Sequence, residues 1–429
     1  MRRDENELLT RTGPGTPGGE LMRRYWQPVA LARELNEAPM PVRILGEDLV
    51  LFRDGEGCLG LLGLLCSHRC ADLSYGRIEP QGLRCLYHGW LYDRAGRCLE
   101  QPAEPEGSKY KDEVRHKAYP CQEAGGIILA YLGPGEPPLL PSFHFLVAPE
   151  RHRFQTKVHH ACNYLQANEG NLDPAHLSFL HAMNPGGDGR QGVYLEMQEI
   201  MKRRTNPKIS VERTRFGMRI YSERPADDGR KYLRITNFVF PNMGFFAGDG
   251  GRLGATGYSA HWHVPIDDES HWRYDFYYNA RDGIDVERLR AKVATEVGPD
   301  FIPLRSRANR YLQNRDEMRT GTYSGMGTHF PSHDLYAVES AGAIHDRTRE
   351  HLASSDVAIV AARRMLLAAI ADLAGGKEPP LVIRSANQNV FNDLVVMSAL
   401  IEENVNAKEH CAAIVRTQDF HAPQAAPVE

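Results

Sequence analysis

The chain has 429 residues, 42% of them hydrophobic and 25% charged, which is the balance of a globular protein long enough for two domains. Its 51 Lys and Arg against 55 Asp and Glu leave a net charge of −4, so nothing electrostatic points to a nucleic-acid partner. The opening MRRDENELLTRTG lacks the apolar core of a secretion signal, and the longest apolar run, near Leu59–Cys66, is too short to span a bilayer. A soluble, cytoplasmic protein is expected.

In chain order, Gly13–Gly18 formally matches G-x-G-x-x-G, but it carries two prolines and no strand precedes it, so it reads as a loop and not as a nucleotide site. From Trp26 the pattern is of short strands and turns: Val42–Leu45 and Leu49–Phe52 flank Gly46-Glu47-Asp48, and Asp54–Gly57 turns again. Residues 126–132 form a further strand. The run Gly133–Pro138, with Pro141 after it, is the best linker. The reading is an N-terminal all-β domain over 1–140 and a second domain over 141–429. The second is predicted helical near 163–183, strand-rich from about 209 to 280, and helical again near 285–298 and 351–374, so it is α+β. The tail His421–Glu429 reads as loose.

Inside the first domain lies Cys66-Ser67-His68, then sixteen residues, then Cys85-Leu86-Tyr87-His88. Structural zinc sites usually pair C-x-x-C with a His pair, whereas here each half offers one Cys and one His. That suits a [2Fe–2S] cluster with Cys66 and Cys85 on one iron and His68 and His88 on the other, the imidazoles raising its potential. Zinc is the alternative. Cys58, Cys70, Cys98, Cys121, Cys162 and Cys411 are expected to be reduced thiols.

A second constellation is Asp173-x-x-His176-x-x-x-x-His181. On a regular helix the two imidazoles would diverge by about 140°, so a distortion is expected if both face one metal. The plainer reading is that Asp173-Pro174 starts a helix and the histidines pack. A chain that stores single electrons needs an acceptor, and two imidazoles plus a carboxylate make an open-sided non-haem Fe(II) site. There is no credible dinucleotide fingerprint and no C-x₄-C-x₂-C run, so no reductase is encoded here.

The cluster stretch CSHRCADLSYGRIEPQGLRCLYHGWLYD, the opening TGPGTPGGELMRRYWQPVAL, EGNLDPAHLSFLH and HDRTREHLASSDVAIVAARRMLL together resemble the oxygenase component of Rieske non-haem iron aromatic ring-hydroxylating oxygenases, in the phthalate-dioxygenase-like branch. The resemblance implies a Rieske domain followed by a catalytic domain of the helix-grip kind. It implies His176 and His181 as iron ligands, and Asp173 as the acid linking that iron to a cluster histidine of a neighbouring subunit. It places the carboxylate ligand at Asp356, which also reads as a plain helix-start acid, with Asp346 and Glu350 as fallbacks. Glu169 stands where many members have Asn, leaving Asn168 and Asn171 as substitutes. Ser67 and Cys70 stand where Pro and Gly are usual.

The resemblance further implies a head-to-tail homotrimer or a multiple of it, a separate flavin/ferredoxin-type reductase oxidising NADH, and O₂ as co-substrate. The expected reaction is cis-dihydroxylation of an aromatic carboxylate in aromatic hydrocarbon catabolism. O-demethylation by the same metals and a pure electron carrier are the alternatives. Alternation along 231–240 puts Tyr232, Arg234, Thr236, Phe238 and Phe240 on one strand face, making Arg234 a candidate carboxylate clamp. Lys202, Arg203 and Arg204 are a second source of charge, with Arg203 the further substrate candidate. Both groups also read as solvated surface.

Overall fold

The computed structural model describes residues 1–183, 193–248 and 257–417, so the tail from His421 lies outside the described residues. Short strands, several of them buried along their whole length, build three small antiparallel sheets in the first 131 residues. One has four strands, Met40–Ile44, Glu47–Arg53, Leu59–Gly63 and Ala118–Tyr119; a second has Arg77–Glu79, Gly82–Arg84, Leu91–Tyr92 and Cys98–Glu100. Between these two lies a separate core of Val50, Phe52, Leu62, Leu73, Leu83, Trp90 and Tyr92, which also encloses Cys66 and Cys85. The third sheet, Trp26–Leu31 with Ile127–Tyr131 and Cys121–Ala124, shares the larger core of the second half.

That half is organised on an eight-stranded antiparallel sheet. Its order runs Arg153–His160, His271–Asn279, Gly257–Pro265, Met243–Phe246, Arg230–Val239, Gly217–Pro225, Lys208–Thr214, with Met397–Glu402 on a side branch. The Arg230–Val239 strand changes partner along its length: residues 230–235 pair with Met397–Glu402, and 237–239 with Met243–Phe246. The expected α+β class, all-β first and antiparallel sheet with helices second, is what forms.

The helix Tyr164–Leu172 lies on this sheet, and at Gly244 an added Cβ would come within 2.6 Å of Asn171, so the close approach needs a glycine there. Residues 1–22, assigned by sequence to the first unit, form two short helices whose Leu9, Leu21 and Met22 share the core with Leu366 and Ile370 of the Val357–Ala374 helix. No helix among the described residues is long and apolar enough to cross a membrane.

Candidate metal centres and the cavity between sheet and helices

Two loops of the same shape carry the first four candidate ligands. In one, Cys70 N–H donates to Cys66 O at 2.9 Å; in the other, Gly89 N–H donates to Cys85 O at 3.1 Å. Each loop closes through a left-handed residue, Gly89 at φ +75° and Cys70 at φ +56°. Glycine takes that backbone freely, whereas a cysteine there is strained. Ser67 has a role of its own: His116 Nε2–H donates to Gly63 O at 2.8 Å, so His116 Nδ1 accepts the Ser67 hydroxyl at 2.7 Å.

Cys66 and Cys85 are buried and His68 is exposed. His68 stacks on Trp90 with centroids 4.5 Å apart and meets His88 edge-on at 4.4 Å. Burial, with Cys66 alongside, pushes the Cys85 thiol pKa up, and His88 Nδ1 is shielded without a hydrogen-bond partner. A metal cluster would answer both, ionising the thiols and taking the orphaned nitrogen. The sulfur pair is thus buried with the His68 imidazole at the surface, and the Tyr92 hydroxyl lies 3.2 Å from Cys66 Sγ.

At the second constellation the helix stops at Leu172, as the Asp173-Pro174 pair requires. Asp173 Oδ1 then accepts Ala175 N–H at 2.7 Å and a single 3₁₀ turn, His176–Ser178, follows. This is the expected distortion, and it brings the two rings to 5.0 Å between centroids. The buried Arg224 holds the turn in place, donating to Pro174 O at 2.8 Å and Ser178 Oγ at 3.3 Å.

The carboxylate that meets the histidines is Asp334, not Asp356. Asp334 Oδ1 lies 3.0 Å from His181 Nε2 and 3.8 Å from His176 Nε2, and the three groups offer atoms within 4.8 Å of one another. Such spacing suits one metal at about 2.1 Å from each atom. Asp356 Oδ2 instead accepts Ala353 N–H at 2.7 Å at the start of the Val357–Ala374 helix, the plain helix-start role. The fallbacks are also elsewhere: Asp346 caps Thr348, and Glu350 pairs with Arg363.

His333 orients the site. Its Nε2–H donates to Gly327 O at 2.8 Å, so its Nδ1 accepts from His181 Nδ1–H at 3.2 Å, leaving the His181 Nε2 lone pair toward Asp334. Burial lowers the His181 pKa despite Asp334. At His176 burial also disfavours charge, but Asp173, 3.6 Å from Nδ1, and Asp334 outweigh it and raise the pKa. Burial opposes ionisation of Asp334, yet the two histidines hold its pKa well below the usual range.

Glu169 is buried against Arg347 and Arg363, so it anchors the helix. The amide at the cavity is Asn171, whose Oδ1 is 2.9 Å from His261 Nδ1 and whose Nδ2 is 2.6 Å from His263 Nε2. Asn168 does not line the cavity, and its side-chain oxygen is buried without a partner.

These groups line a cavity of about 340 Å³ whose wall includes Met197, Met201, Ile220, Tyr232, Phe246 and Arg234. Arg234 is half-buried; Ser222 and Ser398 stand opposite it on the two adjoining strands and face the same space. Among the described residues its guanidinium has no carboxylate partner, while Lys202 pairs with Glu199 and Arg273 with Asp275. Arg203 is not at the cavity: it is exposed and paired with Asp227 at 2.7 Å, its neighbour Arg204 likewise, because the helix carrying Arg203 ends there at the surface. Arg224, His333 and Asp334 were not singled out by sequence, and none has a local signature.

Residues 25–120 match the family described as Rieske [2Fe-2S] domain, and residues 130–426 the family described as LigXa C-terminal domain like. The chain is 34% identical to the phthalate 4,5-dioxygenase oxygenase subunit of Pseudomonas putida, covering 97% of this chain and 96% of the relative. It is 32% identical to the 5,5'-dehydrodivanillate O-demethylase oxygenase subunit of Sphingobium sp. (strain NBRC 103272 / SYK-6), covering 94% and 90%. It is 35% identical to the tert-butanol monooxygenase / tert-amyl alcohol desaturase oxygenase subunit of Aquincola tertiaricarbonis, covering 88% and 78%. Dicamba monooxygenase bound to dicamba superposes with a TM-score of 0.57 at 18% identity, covering 83% of this chain and 99% of that one. At that identity the likeness is one of fold.

Proposed function

The chain belongs to the Rieske non-haem iron oxygenases as an oxygenase component, and from that premise we propose that it hydroxylates an aromatic carboxylate with O₂, by cis-dihydroxylation. Arg234 carries the reading: a cavity-lining cation, unpaired by any described carboxylate, on the wall that also holds His176, His181 and Asp334. A planar guanidinium binds a carboxylate in bidentate fashion, and the Ser222 and Ser398 hydroxyls beside it add donors. The cavity, at about 340 Å³, is of the size that takes a small molecule. Relatives named for phthalate, phenoxybenzoate and 3-chlorobenzoate support an acid substrate. The O-demethylase relative supports monooxygenation of an aromatic methyl ether as the second reading.

In this proposal Cys66, Cys85, His68 and His88 hold the [2Fe–2S] cluster, and His176, His181 and Asp334 hold Fe(II), which supplies O₂ binding and activation. The chain's own residues do the rest. Arg234 binds the acid and orients the ring. His333 keeps the His181 proton on Nδ1. Asp173, beside His176 Nδ1, accepts a hydrogen bond from a cluster histidine of the next subunit in a head-to-tail homotrimer and so joins the two centres. Electrons come from NADH through a separate flavin/ferredoxin-type reductase, in the cytoplasm; a ferredoxin complex of carbazole 1,9a-dioxygenase, TM-score 0.56 at 20% identity and covering 90% of this chain and 96% of that one, has the same fold.

The test is a substrate panel with product analysis. Benzoates, phthalate isomers and phenoxybenzoates should outperform uncharged arenes of like size and yield dihydrodiols, and Arg234→Met should raise KM at least about tenfold for acids and little for a neutral analogue. Preference for uncharged rings or for tertiary alcohols would refute the acid clamp; a phenol with formaldehyde would move the reaction to demethylation.

A further inference from the structure

Hydroxylation consumes protons as well as electrons. Ring dihydroxylation takes arene, O₂, two electrons and two protons to the dihydrodiol; monooxygenation takes the same inputs to an alcohol and water. The cavity therefore needs a supply of protons. One network at its wall leads nowhere: Asn171, His263 and His271 form a chain that ends on Cys162 O, a carbonyl that cannot pass a proton. His261, which bonds Asn171, is partly buried, and desolvation pushes its pKa down to about 4.

A second path runs outward. Glu296, its side chain 13% exposed, accepts the Ser332 hydroxyl at 2.8 Å and Arg305 Nε at 2.9 Å. Ser332 Oγ is 3.2 Å from His329 Nδ1, and His329 lines the main cavity. Behind it is a second, small cavity of about 30 Å³, lined by Glu296, Ser332, His329, Arg273 and His160, with room for one or two waters. His160 lines both cavities, is 2% exposed, and has neither ring nitrogen hydrogen-bonded, so this partition between the cavities is polar and short of partners.

We propose that Glu296, Ser332 and His329 form a proton-entry relay from solvent to the oxygen-reacting cavity, which the small cavity keeps hydrated. The inference rests on the oxygenase reading above. A proton taken up by Glu296 passes to Ser332 Oγ as that hydroxyl gives its own to His329 Nδ1, and the ring releases its Nε2 proton toward the cavity; tautomer exchange through water, one proton leaving Nδ1 and one returning to Nε2, resets the ring. Burial, with Lys292 and Arg273 nearby, pushes the His329 pKa down to about 3, so the ring conducts as a neutral tautomer and does not store charge.

The experiment uses the holoenzyme with its electron supply and, separately, iron-free protein labelled with ¹⁵N-histidine. Ser332→Ala should slow product formation about tenfold or more without raising substrate KM, lower the solvent isotope effect, and divert reduced oxygen to peroxide; Ser332→Thr should restore all three. Glu296→Gln, in the turn after the Val286–Ala294 helix and away from Asp334, should reproduce the loss with iron content intact. In the iron-free protein, Ser332→Ala should shift the His329 Nδ1 resonance. Wild-type rate, coupling and isotope effect in Ser332→Ala or Glu296→Gln, or an unmoved Nδ1 signal, would overturn the relay. A wild-type protein that consumes no O₂ when given electrons would instead overturn the oxygenase reading.

Discussion

All four groups at the cluster tip come from two matching loops of one small β unit, Cys66–Cys70 and Cys85–Gly89. The three groups of the second site come from an interrupted helix and from another helix far along the chain, where Asp334 follows His333, itself 152 residues from its partner His181. The first set is fixed by local hydrogen bonds within each loop and by a core of its own. The second exists only when the sheet, the Tyr164–Leu172 helix and the Phe330–Ser340 helix have packed. Local construction makes a site recognisable and robust; distributed construction makes it open-sided and dependent on everything around it.

The sharpest way to break this contrast is at the carboxylates. Asp334→Ala should drop iron from about three atoms per chain to about two, leave the visible spectrum of the cluster, and abolish turnover; Asp356→Ala should keep all the iron and cost only a helix-start bond, about 1 kcal/mol. Loss of iron from Asp356→Ala with retention in Asp334→Ala would reverse the assignment. One step out, His333→Phe removes the acceptor for His181 Nδ1–H. Iron affinity should fall about 10- to 100-fold by chelator competition, with the cluster untouched; unchanged affinity would make His333 a packing residue.

Acid should separate the halves. Burial pushes His144 and His261 down to about 4 and His271 to about 3, all in the second half. Their folded pKa values are depressed, so the unfolded chain binds more protons below about pH 6.5. Stability is fully present above that pH and should fall by about 1.4 kcal/mol per pH unit for each ring as pH drops toward 4. Circular dichroism of the large sheet should therefore fail before cluster absorbance does; loss of both signals together, or of the cluster first, would count against independent halves. The smallest effect is at Cys70. Cys70→Gly should relieve the left-handed backbone and stabilise the first half by about 1 kcal/mol, whereas Cys70→Ala should not. Equal melting of all three proteins would show that the loop absorbs the strain.

What could be read from the sequence follows the same division. The cluster residues were legible because their spacing is local. So was the strand face of Arg234, from period-two alternation, whereas Asp173-Pro174 read as a helix start inside a helical 163–183 and instead lies where the helix ends, at Leu172, with only a 3₁₀ turn after it. The acid at 356 misled because its signal was real but answered a different need: Ser354-Ser355-Asp356 is a genuine helix start. Asp334 sits within PSHDLY, where nothing local separates it from a surface acid, and only the approach of two helices gives it meaning. Arg203 misled similarly, since a basic run at a helix end says nothing about which side of the wall it occupies. Ser67, a departure from the usual pattern, turned out to have a partner in His116 that lies 49 residues on.

The partner change along Arg230–Val239 carries a consequence for substitutions at the cavity wall. Up to Ile235 the strand is zipped to Met397–Glu402, and from Asn237 it is zipped to Met243–Phe246, on the side that leads to Asn171 and His261. Arg234 and Ser398 lie on the first ladder, while the strands that touch Asn171 lie on the second. Substitution in the late segment 397–402 therefore reshapes the Arg234 end of the cavity while leaving untouched the ladder that leads to Asn171 and His261.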